Sequence, residues 1–262
     1  MNLLDKILLN KKKEISYKEK FYPVEKLKKN ILFERTSVSL SENLKKSNTG
    51  IIAEFKSKSP SKGVINNTSS LEEVINGYRY SGVCGVSVLT DYQFFSGSND
   101  HVKKSRFLIQ DTLPILRKDF IISEYQIIES KCIGSDVILL IAEILSKEEI
   151  EIFSKLAKNI GLEVILEIHS ESELDKITKN INIIGINNRD LRNFIVRKNN
   201  CLDLSSKIPN NYIKIAESGI NDVNFILKLR KHGFKGFLIG EYFMKNKNPG
   251  KFCKNFIKLL LK

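Results

Sequence analysis

Along the chain, short uninterrupted apolar runs alternate with longer stretches in which apolar residues recur every three or four positions. From residue 50 onward the runs are GIIAEFK, GVSVL, PILRK, DVILLI, LEVILEI, NIIGIN, YIKIAES and GFLIG. Between them lie segments such as LEEVINGYRYSG, SEYQIIESKCIG, SKEEIEIFSKLAKNIG, NDVNFILKLRKHG and PGKFCKNFIKLLLK. The runs read as buried parallel strands and the periodic segments as amphipathic helices that cover them. Eight strand candidates, each followed by a helix candidate, predict a single (β/α)8 TIM barrel, whose usual length of about 250 residues fits. An open doubly wound sheet shares the alternation but has no reason to stop at eight units. Several helices close at a glycine just ahead of the next run, as in RYSGVCG, KCIGSD, KNIGLE and KHGFKG, where glycine accepts the left-handed backbone of a C-cap.

Ahead of the barrel, residues 1–48 are Lys-rich, and Leu3, Leu4, Ile7, Leu8 and then Val24, Leu27, Ile31, Leu32 recur at helical spacing. They predict an N-terminal helical extension packed on a barrel domain of residues 49–262, with no linker or low-complexity tract to divide that domain further.

If the runs are barrel strands, chemistry belongs at their C-terminal ends, where the loops of such barrels build their sites. Polar residues stand there repeatedly: Glu54 and Lys56 close the first run, Lys118 the third, Glu167 the fifth, Asn187 and then Arg189 the sixth, and Glu217 and Ser218 the seventh. One such residue reads as an internal ion pair, whereas five furnished ends point to a shared site. Side chains on a strand alternate faces, so Ile52, Glu54 and Lys56 point into the barrel while Ile51, Ala53 and Phe55 face the helices. By the same parity Ile165 shares a face with Glu167, and Ile215 with Glu217. Charges in these positions are costly unless paired or used.

The last two strand ends carry glycines, Gly219 in AESGI and Gly240 in LIGEYFM. Alone, each reads as a turn. Together they favour a phosphorylated ligand, because backbone N–H groups at these two loops can approach an anion beside a helix N-terminus. SPSKG after the first run reads equally as a serine-rich turn or a phosphate contact, it lacks the lysine-serine ending of a P-loop, and its Lys62 is expected in solvent. Phe94 and Phe95 default to core packing, with the second reading that rings at a strand end wall a flat apolar part of a substrate.

Charge and cysteine content bound the partners. The 262 residues carry 43 Lys+Arg against 30 Asp+Glu, a formal net charge of +13, which suits an anionic partner. The lysines are scattered, with no aromatic-interleaved basic patch, so no nucleic-acid partner is expected. Cys84, Cys132, Cys201 and Cys253 form no C-x-x-C pair, and only His101, His169 and His232 could join them, which fits a reduced protein without structural zinc. The N-terminus MNLLDKILLNKKKEI lacks a signal-peptide core and no run approaches membrane-spanning length. A cytoplasmic location with no membrane association is expected.

IIAEFKSKSPSKG, LTDYQFFSGSNDH, PILRKDFIISEYQI, GLEVILEIH, IIGINNRDL, IAESGI and LIGEYFM, in this order and spacing, resemble the indole-3-glycerol phosphate synthase family of tryptophan biosynthesis. The resemblance spans nearly the whole chain, the N-terminal helices included, and LRKDFI and INNRDL are its most specific motifs. It implies a carbon–carbon lyase that closes, decarboxylates and dehydrates 1-(2-carboxyphenylamino)-1-deoxyribulose 5-phosphate to indole-3-glycerol phosphate, with no cofactor and no metal. It further implies Lys118 as general acid, Glu167 as base, Lys56 as the group that binds the substrate carboxylate and assists dehydration, and Glu54 as its orienting partner. Asn187, Arg189 and Glu217 would hold the sugar hydroxyls and support the catalytic groups, while Phe95 and Phe120 flank the anthranilate ring. Ser218, Gly219, Gly240 and Glu241 would bind phosphate, Glu241 through its backbone N–H, and Ser59 would reach phosphate or carboxylate from a loop that closes over the ligand. A monomer or weak homodimer is expected.

Three other readings compete with this one. A phosphoribosylanthranilate isomerase-like barrel, with cysteine and aspartate at its strand ends, is disfavoured by Glu54 and Lys56 at the end of the first run. A Schiff-base aldolase would use a desolvated lysine as nucleophile. A noncatalytic basic scaffold would bind nucleic acid in a salt-dependent way.

Overall fold

A computed structural model describes residues 2–192 and 195–262. Eight parallel strands close into a barrel: β1 (Ile51–Phe55), β2 (Gly85–Leu89), β3 (Ile115–Lys118), β4 (Val137–Ile141), β5 (Glu163–Ile168), β6 (Ile183–Asn187), β7 (Ile213–Glu217) and β8 (Phe234–Ile239). Each pairs with its neighbours in chain order and β8 returns to β1. All residues of β1, β2, β4, β6 and β7 are buried, which is why these runs are apolar on both faces rather than alternating.

Two apolar layers follow from strand parity. Ile51, Ala53 and Phe55 join Val74, Ile75 and Val102 of the covering helices in the outer layer. Ile52, Leu116, Leu139, Ile165, Ile215 and Leu238 fill the barrel itself. The register sets Glu54 beside Ser87, Leu89 beside Lys118, Ile141 beside Glu167 and Asn187 beside Glu217. The charged strand ends are therefore gathered at one mouth.

The helices Leu71–Arg79, Asn99–Ile109, Glu124–Cys132, Lys147–Asn159, Val223–Lys231 and Pro249–Leu260 surround the sheet. Ser70 and Ser146 start two of them with reciprocal capping boxes to Glu73 and Glu149, satisfying N–H groups that a helix start leaves open. The expected glycine stops appear after them, with φ of 84° at Gly82 and 77° at Gly161.

Two crossovers depart from the expected pattern. After β5 the chain makes a 3-10 stretch, Glu171–Lys176, and after β6 a helix of only six residues, Asn200–Ser205. Between Ile168 and Ile181 only Leu174 and Ile177 are apolar, too few for a continuous helical face. Glu173 also turns back to accept the backbone N–H of His169 at 2.6 Å.

The N-terminal arm passes both mouths of the barrel. Its first helix, Leu3–Phe21, packs Leu4 and Ile7 with Phe120 and Ile141 near the charged end. The helix Leu40–Lys46 closes the opposite end, where Leu40 and Leu44 pack with Val137, Ile183 and Ile213. There Glu163, which opens β5, accepts the backbone N–H groups of Leu40 and Ser41, both at 2.9 Å, so an anion sits at that helix's N-terminus. Arg35 ties the arm's middle to Asp136 at 2.5 Å. Covered by the barrel on one side and the arm on the other, the helix Glu124–Cys132 is buried at every position from Tyr125 to Cys132. Among the described residues, no helix is long and apolar enough to cross a membrane.

Candidate active site

A two-lobed cavity opens at the C-terminal mouth. The larger lobe, about 470 Å³, is bounded by Ser218, Gly219, Gly240 and Glu241 at the ends of β7 and β8. The smaller, about 90 Å³, is walled by Phe95, Phe120, Leu139, Ile141 and Leu191. Glu54, Lys56, Lys118 and Arg189 line both. The residues singled out from the sequence for catalysis, substrate binding or phosphate binding line one lobe or both, Ser59, Glu167, Asn187 and Glu217 included; Phe94 lines neither and packs against the core, its default reading. Lys62 is exposed, as expected, yet it stands at the lip of the larger lobe.

At the centre, Lys118 Nζ lies 2.9 Å from Glu167 Oε2 and 3.3 Å from Glu217 Oε2. Both carboxylates are almost wholly buried, whereas 15% of the lysine side chain is exposed, so the lysine is the most open of the three. Burial works against a charged lysine, but Glu167, Glu217 and Glu54 outweigh it and hold Lys118 above the ordinary lysine range. Burial also favours the protonated form of each carboxyl. At Glu167 the nearby Lys118 overrides burial and holds the group below the usual carboxylate range. At Glu217 burial prevails despite Lys118, reinforced by the charge of Glu167, and its pKa is raised. The two carboxyl groups are thus pushed in opposite directions, Glu167 toward its ionised form by Lys118 and Glu217 toward its protonated form by burial.

Glu54 and Lys56 form a second ion pair at 2.6 Å, with Ser87 Oγ donating to Glu54 Oε2 at 3.4 Å. Asn187 Oδ1 accepts the backbone N–H of Arg189 at 2.9 Å and turns the chain at the end of β6. Arg189 reaches Glu241 at 3.5 Å and donates to Ser61 Oγ at 3.4 Å, linking the first loop to the last. Phe95 and Phe120 face each other obliquely, their centroids 6.1 Å apart. Ser218 has φ of +64° and Gly219 of +72°; the left-handed serine is the kind of outlier that marks a working turn.

Sequence reasoning read Gly240 as a phosphate contact, and the structure adds a second reason for it. A Cβ on Gly240 would lie 2.3 Å from Glu54 Oε1. Gly185 on β6, not singled out at all, serves Glu217 in the same way, its Cβ falling 2.3 Å from Glu217 Oε1. Each buried carboxylate thus occupies the space a neighbouring side chain would take. Gly185→Ala is therefore expected to displace Glu217 and lower kcat about tenfold or more, with the far-UV circular dichroism of the barrel retained. An unchanged kcat would show that Glu217 need not occupy this position.

Lys198 and Lys245 also line the larger lobe and were not anticipated; they lie on loops, beyond the reach of strand parity. His169 follows Glu167 on the same face of the chain, its Nε2 3.4 Å from Glu167 Oε1, and parity could have found it. Glu143, His169 and Glu173 stand close enough to share a cation. Glu143 is already paired with Arg192 at 2.6 Å and Glu173 with the His169 backbone, so the two carboxylates are engaged elsewhere. None of the four cysteines lines the cavity; all are buried.

The family model for indole-3-glycerol phosphate synthase matches residues 4–256. The chain is 41% identical over 259 residues to the indole-3-glycerol phosphate synthase of Bacteroides thetaiotaomicron, covering 99% of each. It is 40% identical over 258 residues to that of Caldanaerobacter subterraneus subsp. tengcongensis, covering 98% of each. Among solved structures, a tryptophan synthase alpha chain from Legionella pneumophila superposes with a TM-score of 0.62 at 12% identity, over 84% of this chain and 96% of that one. The 3-hexulose-6-phosphate synthase of Salmonella typhimurium does so at 0.61 and 9% identity, over 81% and 98%. At such identities the structural likeness speaks for the barrel alone. The full-length match carries more: this chain belongs to the indole-3-glycerol phosphate synthase family.

Proposed function

We propose that the groups around Lys118 carry out the family's reaction, with the carboxyphenylamino ring of the substrate in the smaller lobe and its phosphate in the larger. The observation that carries this reading is the Lys118–Glu167–Glu217 cluster standing where an apolar, ring-walled lobe meets a lobe rimmed by Lys56, Lys62, Lys198 and Lys245. An anthranilate ring and a sugar phosphate differ in the same way as the two lobes.

Ring closure begins when the ring carbon bearing the carboxylate attacks the sugar ketone, and negative charge grows on the ketone oxygen. Lys118 is the cation placed to meet it. Its raised pKa keeps it charged before reaction, and the developing alkoxide is basic enough to take its proton as the bond forms. Carbon dioxide then leaves and its bonding electrons restore the aromatic ring. Dehydration expels the hydroxyl as water while a base removes one proton; Glu167, held ionised, takes that role. Lys56 binds the substrate carboxylate and assists the departing hydroxyl, steadied by Glu54 at 2.6 Å. Asn187, Arg189 and Glu217 hold the sugar hydroxyls, Phe95 and Phe120 flank the ring, and Ser59 contacts the ligand from the first loop. Ser218, Gly219, Gly240 and the backbone N–H of Glu241 receive the phosphate.

A Schiff-base mechanism needs a lysine of depressed pKa, and the three carboxyl groups around Lys118 push the other way. Purified protein given 1-(2-carboxyphenylamino)-1-deoxyribulose 5-phosphate is expected to yield a product with indole absorbance. A folded protein that produced none would overturn the reading.

A further inference from the structure

The first helix buries Leu4, Ile7, Lys11 and Ile15 on one face. Three are the apolar residues such a stripe requires; the fourth is a lysine, fully buried. Its ammonium lies 3.0 Å from Asp119 Oδ1, 3.1 Å from Asp91 Oδ2 and 2.8 Å from Glu14 Oε2. A buried ammonium in an apolar stripe destabilises the fold unless its partners are fixed around it.

The partners are fixed, and the two aspartates line the site. Asp119 directly follows Lys118. Its Oδ1 accepts the Phe120 N–H at 2.8 Å, and its Oδ2 accepts from Thr90 Oγ1 at 2.6 Å and Arg117 Nη2 at 3.1 Å. Asp91 caps the short helix Tyr92–Phe95 by accepting the Phe94 N–H at 2.9 Å. The ends of β2 and β3, which carry Phe95, Lys118 and Phe120, are thus joined through one ammonium from the N-terminal arm. The charges facing this cluster are Glu14 and Lys18 on the first helix, Arg117 on β3 and Glu129 on the helix Glu124–Cys132. Arg117 pairs with both Asp119 and Glu129, and Lys18 with Glu129, so Lys11 is the cation that joins Asp91 to Asp119. Lys11 itself does not line the cavity.

We infer that Lys11 is a positioning residue for the reaction: clasped by Asp91 and Asp119, it fixes the backbone that carries Lys118 and so sets where that ammonium meets the substrate. Without it, two buried carboxylates face each other and the ends of β2 and β3 part. The inference rests on Lys118 acting as the acid. A Lys118→Met protein with normal kcat would fail that reading, whereas the results below bear on Lys11 alone.

Steady-state kinetics of full-length Lys11→Met, run well below its melting temperature, test the clasp. Displacement of an acid by a fraction of an ångström is expected to lower kcat about tenfold or more, with KM changed less than about threefold, because ring and phosphate contacts remain. Lys11→Arg, which keeps the charge, is expected to recover most of that loss. If Lys11→Met does not fold, Lys11→Met/Asp91→Asn takes its place; asparagine still caps Phe94 and the excess negative charge is gone. A folded variant of either kind with kcat within twofold of the wild type would overturn the inference. So would a rise in KM alone, which would make Lys11 a prop for the aromatic walls and not for Lys118.

Discussion

Lys118→Met is expected to lower kcat at least about a hundredfold while the barrel stays folded. A hundredfold corresponds to about 3 kcal/mol of transition-state stabilisation, within reach of a charge-assisted hydrogen bond to a developing alkoxide in a site shielded from water. Methionine keeps the apolar stem and removes only the ammonium. The loss is compounded, because that ammonium also holds Glu167 below the ordinary carboxylate range against the effect of burial. Once it is gone, burial raises Glu167, and on the roles proposed above the variant lacks its acid and has a base that protonates more readily. Acid and base thus fail as a unit, and the effects of replacing each separately are not expected to add. Near-normal kcat in steady-state turnover would remove Lys118 from the acid role.

Glu167→Gln is expected to cost kcat a similar factor, at least about a hundredfold, as loss of a positioned base should. Its pH signature differs. In the wild type the carboxyl pair is expected to titrate as a unit, one step below the ordinary carboxylate range and one above it. With Glu167 as the base, the active form lies between the two steps, so kcat/KM is expected to rise with pH through the lower step and to fall through the upper. Glutamine removes the lower step. It also removes the negative charge that helps hold the proton on Glu217, so the upper step moves to lower pH under the pull of Lys118. A Glu167→Gln enzyme with wild-type kcat, or with the acid limb unchanged, would show that another group is the base.

The features legible in the sequence were those with local causes. Alternation along a strand is a property of adjacent residues, so parity alone aimed Glu54, Glu167 and Glu217 into the barrel, where all three are buried. The barrel followed from eight runs and their spacing. What stayed hidden depends on distant partners. Lys11 looks like an exposed member of the KKK run at residues 11–13; its burial is decided by Asp91 and Asp119, far along the chain. Arg117 points away from the barrel by parity, yet it is 1% exposed because the helix Glu124–Cys132 and Glu129 lie over it. Gly185 reads as one more small residue in a strand until the Glu217 carboxylate is seen in the place of its side chain. The short crossover after β5 was visible as a lack of apolar residues, but the alternation around it suggested a full helix.

The arm that spans both mouths also bears on the order of assembly. It leaves the ribosome before the barrel does, and the groups that hold it come late: Asp136 follows Arg35 by 101 residues, and Glu163 follows Ser39 by 124. At translation speeds of roughly 5–20 residues per second, the arm spends on the order of ten seconds without these anchors. Contacts so distant in sequence close slowly, and until they do the apolar faces of Leu4 and Ile7 above, and of Leu40 and Leu44 below, lack their barrel partners. The lysines interspersed along residues 1–46 would then have a use before the enzyme exists, keeping the nascent arm in solution until the barrel it closes has been made.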